Sequence, residues 1–211
     1  MSRSCRNGTP DSAVVRDRIN RGRKTTRFAH MQPLLSRDLC IRPFQKGDAP
    51  SFVAAALESL STVGVWMDWC HERFALQDAE AWFHACDHNL ESGSAYDLGT
   101  FASDGKQLLG GIGINQLNRR QNFGNIGYWI RQSCQRQGIA VRAVRSIAEY
   151  GFGELKLTRL EIVAPEHNVP SRRVAEKVGA VFECIARNRV MVHGKPQPAA
   201  IYSLVPEQCG L

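Results

Sequence analysis

Residues 124–152 read Gly-Asn-Ile-Gly-Tyr-Trp-Ile-Arg-Gln-Ser-Cys-Gln-Arg-Gln-Gly-Ile-Ala-Val-Arg-Ala-Val-Arg-Ser-Ile-Ala-Glu-Tyr-Gly-Phe, and the rest of the chain is organised around them. A strand is predicted over 125–130, a tight loop over 131–138, and a helix after it. Ala140, Ala143, Val144, Ile147, Ala148, Gly151 and Phe152 recur at the i, i+3, i+4, i+7 spacing of one apolar face, with Arg142, Arg145 and Glu149 outside it. Gly138 stands where the loop meets the first helical turn. Lacking a side chain, it lets a ligand approach the N–H groups that a helix start leaves unpaired. The positive end of the helix dipole adds to those amides, so the position suits an anion such as phosphate.

The 211-residue chain has the length of one domain with a tail, and its 43% hydrophobic and 22% charged residues are ordinary for a globular fold. No run approaches the ~20 apolar residues that a membrane span needs. The first residues, Met1-Ser-Arg-Ser-Cys-Arg-Asn-Gly8, contain no apolar segment of the secretory kind. The net charge of +7 is concentrated in the tail: residues 1–37 carry nine Lys/Arg against two acids, and from residue 38 onward the charges balance. Charge therefore gives no reason for the folded part to bind nucleic acid, which stays open only for the tail. Residues 1–33 lack periodicity and are expected to form a disordered basic arm, and residues 34–211 the domain. A nucleic-acid contact, an over-long start ahead of Met31 and an Arg-rich transit peptide are the other readings of the arm. Seven cysteines lie singly, with no Cys-x-x-Cys pair, which suits a reducing compartment and a cytoplasmic protein. His84 and His88 share a helix face, but nothing supplies further ligands, so no metal is expected.

Outward from the central stretch, Leu39-Cys-Ile-Arg-Pro-Phe44 alternates as a strand. Asp48 is the expected cap of a helix with Pro50 in its first turn, burying Phe52, Val53, Ala56, Leu57 and Leu60. A second helix is predicted over 77–90, burying Ala79, Trp82, Phe83, Cys86 and Leu90, with Gly93 just past its end. Strands over 96–102 and 107–115 flank Asp104-Gly105, a strong hairpin signal. The strand over 125–130 then ends an antiparallel meander, and the helical crossover makes the next strand, over 158–164, parallel to it. Asn168-Val-Pro-Ser171 opens another helix, and strands over 182–192 and 199–205 follow around a turn at His193-Gly194-Lys195. The expected architecture is α/β of the α+β type: a mixed, mostly antiparallel sheet of about seven strands covered by about four helices, in the order β-α-α-β-β-β-α-β-α-β-β.

Gln135-Arg136-Gln137-Gly138-Ile139-Ala140 resembles the Gln/Arg-x-x-Gly-x-Gly/Ala signature of the GNAT acetyltransferases, and the element order is similar to theirs. Three further stretches resemble the Rim-type ribosomal-protein N-terminal alanine/serine acetyltransferases. They are Trp66-Met-Asp-Trp69 followed by Asp78-Ala-Glu-Ala-Trp82, Asn168-x-x-Ser171 running into Val174-Ala-Glu-Lys-Val-Gly179, and Ile201-Tyr-Ser-Leu-Val-Pro206. The resemblance implies a GNAT fold with acetyl-CoA as cosubstrate, its pyrophosphate cradled by Arg131, Gln135, Arg136, Gln137, Gly138, Ile139 and Ala140. It also implies that the strand before the loop splays from the strand after the crossover. Backbone groups near Trp129 and Ile130 would then meet the pantetheine arm and the acetyl carbonyl, with Gly127 easing the distortion. Asn168 either hydrogen-bonds that arm, as the resemblance implies, or caps its own helix. Two positions depart from the pattern: Asp68 stands where relatives often have Pro, and Pro198 where many have Asp. Some relatives carry a catalytic Glu on the penultimate strand, yet residues 184–206 hold no Asp or Glu.

Acetyl transfer to an amine needs a held thioester, a polarised carbonyl, a neutral amine and a proton for the leaving thiolate. Ser171 matches the position that serves as thiolate acid in some relatives. A serine hydroxyl is a weak acid, so stabilising the sulfur or relaying a proton is its expected part, against a plain place in the first helical turn. Tyr202 is a second candidate donor, since a phenol of pKa ~10 suits a thiolate, or else a packed strand residue. Glu161 is the candidate base beside the cofactor strand, unless it pairs with Arg159. Trp66, Trp69 and Asn125 are the expected acceptor-side residues. An N-terminal α-amine has a pKa of ~7.7–8.0, against ~10.4 for lysine, and is partly neutral without any base. The expected activity is acetyl-CoA-dependent N-acetylation of a protein or peptide N-terminus of the ribosomal alanine/serine kind. Direct attack in a ternary complex, a monomer or homodimer, and no membrane partner complete the expectation. A small-molecule N-acetyltransferase and a non-catalytic CoA-binding protein held on RNA by its basic arm are the alternatives.

Overall fold

The computed structural model describes residues 31–36 and 38–209, so the expected basic arm lies outside the described residues except for 31–33. The elements are β1 (Leu34–Ser36), β2 (Leu39–Arg42), α1 (Ala49–Glu58), α2 (Leu76–Ser92), β3 (Tyr96–Ala102), β4 (Leu108–Asn118), β5 (Phe123–Ile130), α3 (Ile139–Gly153), β6 (Arg159–Pro165), α4 (Val169–Val178), β7 (Val181–Val192) and β8 (Lys195–Leu204). The strands form one sheet of eight in the order β1-β2-β3-β4-β5-β6-β8-β7. Only β5 and β6 run parallel, the outcome a helical crossover dictates. The strand beyond the expected seven is β1, which pairs with β2 from Leu34↔Ile41 to Ser36↔Leu39. Three residues are too few to show an alternation in sequence.

Two helices cover each face. α3 and α4 pack on one side over Ile112, Ile114, Ile126, Leu160 and Ile162, with Ala143, Val144, Ile147 and Ala148 of α3 facing them as the apolar periodicity requires. α1 and α2 cover the other side through an aromatic cluster in which Phe44, Phe52, Phe74 and Phe83 meet edge-on, stacked or tilted. Such ring pairs add to the burial of their large apolar surface.

Three local expectations change. Asp48 does precede α1, but its carboxylate accepts the Gln45 N–H at 2.8 Å and pairs with Arg42 at 2.7 Å, leaving no side-chain cap on α1. Leu57 is 42% exposed and Trp82 is 40% exposed, so neither belongs to the core stripe assigned from spacing. After α1 the chain makes one π-helical turn, Leu60–Gly64, in which the carbonyl of Ser59 accepts the N–H groups of Thr62, Val63 and Gly64. Wide turns of this kind recur at functional positions, and this one abuts the loop after β5. At the far end of the sheet, the β7–β8 hairpin closes on His193 and Gly194, both at positive φ, as a tight two-residue turn demands. The His193 N–H reaches Asp68 at 2.8 Å, which gives the departure at that position a structural partner.

Candidate active site

The loop between β5 and α3 is tied to the end of α1 from below. Glu58 accepts Arg131 Nε–H at 2.7 Å and the Ser133 amide at 2.6 Å, and Ser59 Oγ accepts the Gln132 amide at 3.0 Å. Gln135 Nε2 donates to Ile130 O at 2.9 Å and to Thr62 Oγ1 at 3.1 Å. The side chains of Arg131 and Gln135 thus shape the loop, while Arg136, Gln137 and Gly138 lie exposed along its rim. Arg136 (φ 62) and Gly138 (φ 73) take left-handed conformations that turn the chain into α3. The first bond of α3 runs from the Arg142 N–H to Gly138 O at 3.1 Å, so the amides of Ile139, Ala140 and Val141 precede the helical ladder. Arg142 curls back over them. Its Nη1 donates to Gln137 O at 3.0 Å, its Nη2 pairs with Asp38 at 3.0 Å, and its buried Nε has no partner among the described residues. Bare amides, the dipole end and an incompletely satisfied guanidinium fit a phosphate group.

The hydrogen bond from Arg131 holds the Glu58 carboxyl down at about 2, with Ser133 assisting and burial opposing. A depressed carboxylate contributes fully above its unfolded pKa, near 4.5, and is lost only as the pH falls through about 2, so the tether is intact throughout the neutral range. Glu58→Gln removes the charge that anchors both Arg131 and the Ser133 amide. CoA binding is expected to weaken about tenfold, read by calorimetric titration at neutral pH. An unchanged Kd would mean that the cradle stands without its tether.

Next to the cradle, β5 leaves β6. Their pairing comprises Phe123↔Arg159, Gly124↔Leu160 and Asn125↔Glu161 and goes no further, so the edge over 126–130 borders a gap. On the α4 side of that gap, Tyr128 Oη lies 3.0 Å from Ser171 Oγ and donates to Ser171 O at 3.0 Å. Burial pushes the Tyr128 phenol up to about 12, against a smaller pull from Ser171. Asn168 caps α4, its Oδ1 accepting the Ser171 N–H at 3.2 Å.

On the opposite face, α1, α2 and the segment between them enclose a cavity of about 580 Å³ over β3, β4 and β5. Its walls include Phe44, Phe52, Trp69, Phe74 and Trp82, and its floor includes Asp97, Gly113, Asn115 and Gly127. Trp69 and Trp129 meet at 5.3 Å between ring centres, which joins the wall to β5. A polar row starts on the floor and runs on past it: Asn115 Nδ2 donates to Asp97 Oδ1 at 3.4 Å, and Asn125, expected on the acceptor side but not lining the cavity, donates its Nδ2–H to Asn115 Oδ1 at 3.0 Å. The Oδ1 of Asn125 is buried and has no partner among the described residues.

The structure brings Trp129, Ile130, Ser171 and Asn168 to the two sides of the gap and places Trp69 on the cavity wall. Trp66 is half-buried and is not part of that wall. Glu161 is paired with Arg159 at 3.0 Å, the alternative its neighbour suggested. Tyr202 is 1% exposed, and its hydroxyl is taken up by Arg172 Nε at 3.2 Å and Glu176 Oε1 at 3.1 Å. The penultimate strand does hold a carboxylate, Glu183, which falls within the strand predicted over 182–192 and one residue before the acid-free stretch 184–206. Arg159 grips it at 2.7 Å through both guanidinium nitrogens and holds it down at about 2, as a fixed anion. Asp97, Asn115, Tyr128, Trp82 and Arg142 were not read as site residues from the sequence. Among the described residues no group of His, Cys, Asp and Glu is arranged to hold a metal, and no helix is long and apolar enough to cross a membrane.

The model of the acetyltransferase (GNAT) domain matches residues 38–181. A solved structure described as a "putative ribosomal-protein-serine acetyltransferase from Vibrio cholerae" superposes with a TM-score of 0.75 and 33% identity, covering 83% of this chain and 98% of that one. Similar curated proteins include the "Putative ribosomal N-acetyltransferase YdaF" of Bacillus subtilis (strain 168), 32% identical over 121 residues, 57% of this chain and 62% of that protein. The "Probable N-acetyltransferase YjcK" of the same organism is 36% identical over 106 residues, 50% of this chain and 59% of that protein. The chain thus spans about three fifths of the length of these two relatives. Because the domain match runs through the cradle to the first residue of β7, the chain belongs to the GNAT acetyltransferase family.

Proposed function

We propose that this protein transfers the acetyl group of acetyl-CoA to the N-terminal α-amine of a peptide or protein, of the ribosomal alanine/serine kind, in the cytoplasm. What carries this reading is the juncture of cradle and cavity. The edge of β5 over 126–130 has the amide cradle beyond one end, and the cavity reaches it at Gly127, Tyr128 and Trp129. A thioester lying along that edge meets an amine that enters from the α1–α2 face, while its sulfur lies toward Ser171 and Tyr128 on the other face. The descriptions of the Vibrio cholerae structure and of YdaF, both ribosomal, support a protein substrate.

The residues divide the work. The amides of Ile139–Val141 and the Arg142 guanidinium hold phosphate. Backbone N–H groups on the β5 edge polarise the acetyl carbonyl, where preorganised donors act most strongly. The amine nitrogen attacks that carbon, forming a C–N bond as the C–S bond breaks, and the sulfur takes a proton beside Ser171. The volume of the cavity suits a few residues of extended chain, and its aromatic walls suit the apolar part of such a chain. The test is thiol release from acetyl-CoA with a library of peptides beginning with Ser, Ala and other residues, alongside small primary amines. Turnover on Ser- and Ala-starting peptides is expected. Turnover confined to small amines would overturn the peptide assignment, and none with any acceptor would favour a CoA-binding protein without catalysis.

A further inference from the structure

We infer that Asp97 receives the acceptor's ammonium group on the cavity floor and takes its proton before attack, a role that rests on the acetyl-transfer reading above. Among the described residues, Asp97 and Asp78 are the two carboxylates lining the cavity. Asp78 is committed to the Ala75 N–H at 2.8 Å, as the first-turn acid of α2. Asp97 has no such tie: its contact is the long 3.4 Å bond from Asn115, and no Lys or Arg pairs with it among the described residues. A half-buried carboxylate on the floor of an aromatic-walled cavity, with no cation beside it, is incompletely compensated, and in a cleft it marks a place where a cation binds.

The glycines beside it give the direction. Asp97 sits opposite Gly113, and Gly113 opposite Gly127 on β5. A Cβ built on Gly113 would fall onto Asp97 Oδ1, so the carboxylate occupies the space above that glycine and leans toward β5. From there to Gly127 is one strand spacing, roughly 4.8 Å, and the side chain bordering the step is the Asn115 amide, whose Nδ2 would meet a Cβ on Gly127 at 3.4 Å. An amine held at Asp97 therefore lies one strand away from the edge that borders the thioester gap, with the glycines leaving room and the Asn115 amide beside the way. Burial pushes the Asp97 carboxyl above the usual range and Asn115 draws it partly back. Cys86 faces it from α2, His71 and Asp78 share its cavity, and the row through Asn115 and Asn125 leads to Glu161, which is neutralised by Arg159.

The protons balance. The ammonium gives one to the Asp97 carboxylate, and the neutral amine then attacks. Its second proton leaves as the C–N bond is completed, and the departing sulfur gains one. Asp97 returns its proton to water after the amide leaves, so each turnover releases one.

Asp97→Asn keeps the shape and removes the charge, with the thermal midpoint and CoA affinity as checks on folding. The variant must bind amine that is already neutral. At about pH 6, where roughly one α-amine in a hundred is neutral, its kcat/KM is expected to be about 10²-fold below wild type, the gap closing toward a few-fold at about pH 8. Without acetyl-CoA, binding of a Ser- or Ala-starting peptide is expected to weaken about tenfold in calorimetry, whereas the N-acetylated peptide binds both proteins alike. A deficit that is absent or independent of pH, or unchanged peptide binding, overturns the role. If wild type acetylates only small amines, the peptide assignment fails, and the same pH comparison on such an amine still decides Asp97. If no acceptor turns over, both fail. Should Asp97→Asn not fold, Asn115→Ala removes the bond that favours the carboxylate, and the acid limb of kcat/KM is expected to move to higher pH; an unmoved limb overturns the role.

Discussion

Gly138→Glu is expected to reduce CoA affinity by about 10³-fold, equivalent to about 4 kcal/mol, and to abolish acetyl transfer at ordinary cosubstrate concentrations. Three effects converge on this one position. The left-handed φ of 73 is costly for any residue with a Cβ, by roughly 1–2 kcal/mol. A Cβ there would lie 3.1 Å from Arg142 Nη1, so the guanidinium that curls over the cradle must shift. Most of the loss comes from the third effect, since a carboxylate on this residue can reach the amides of Ile139–Val141 and fill the anion site from within. Gly138→Ala separates the causes. It carries the backbone strain without the charge, so it should lower the thermal midpoint by about 2–8 °C for a domain of this size, and keep CoA affinity within about tenfold. Wild-type CoA affinity in Gly138→Glu would show that the phosphate lies elsewhere.

The residues that made this cradle readable were those whose job is set by the backbone. A glycine at a helix start, an apolar stripe at helical spacing and a strand–helix–strand crossover each follow from geometry that sequence displays. They placed α3, the parallel β5–β6 pair and the four covering helices. What stayed hidden depends on distant neighbours. Trp82 falls on the same helical stripe as Ala79, Phe83 and Cys86, but α2 at that point fronts a cavity, and periodicity cannot tell a core from a lined hollow. Glu161 and Tyr202 carry suitable chemistry, yet Arg159 in one case and Arg172 with Glu176 in the other occupy their polar atoms. The first pairing was open to the sequence because Arg159 stands two residues from Glu161, whereas the Tyr202 partners lie 26 and 30 residues away, where no spacing rule reaches.

Asp97 did leave a trace. It is the one charged residue in Tyr96–Ala102, a strand otherwise apolar or small, and the facing strand runs Gly110-Gly111-Ile112-Gly113. Glycines in a strand interior weaken it unless something must come close to the backbone. Here that something is a carboxylate on one side and an indole on the other: a Cβ on Gly111 would strike Trp129. Tyr128 left less, because its partner Ser171 lies 43 residues away on α4.

That pair supplies the second large effect, in the departure of the thiolate. Tyr128 Oη contacts both the carbonyl and the hydroxyl of Ser171 at 3.0 Å, so the tyrosine orients the serine. With its phenol pushed up to about 12, Tyr128 stays protonated at any pH at which the fold is assayed and acts as a fixed donor. In the proposed reaction, Ser171→Ala is expected to lower kcat by about 10²-fold and leave the acceptor KM nearly unchanged, the pattern of an interaction made in the transition state. Tyr128→Phe should lower kcat by roughly tenfold, since water can partly replace an orienting hydroxyl. The double variant should be little worse than Ser171→Ala alone, because the tyrosine acts through the serine, and coupled residues of this kind are not additive. Steady-state kinetics with a Ser- or Ala-starting peptide, over a pH range through neutrality, measure all three. Full additivity would make Tyr128 an independent contributor. A Ser171→Ala enzyme with wild-type kcat would remove the pair from the chemistry and leave the thiolate to water in the β5–β6 gap.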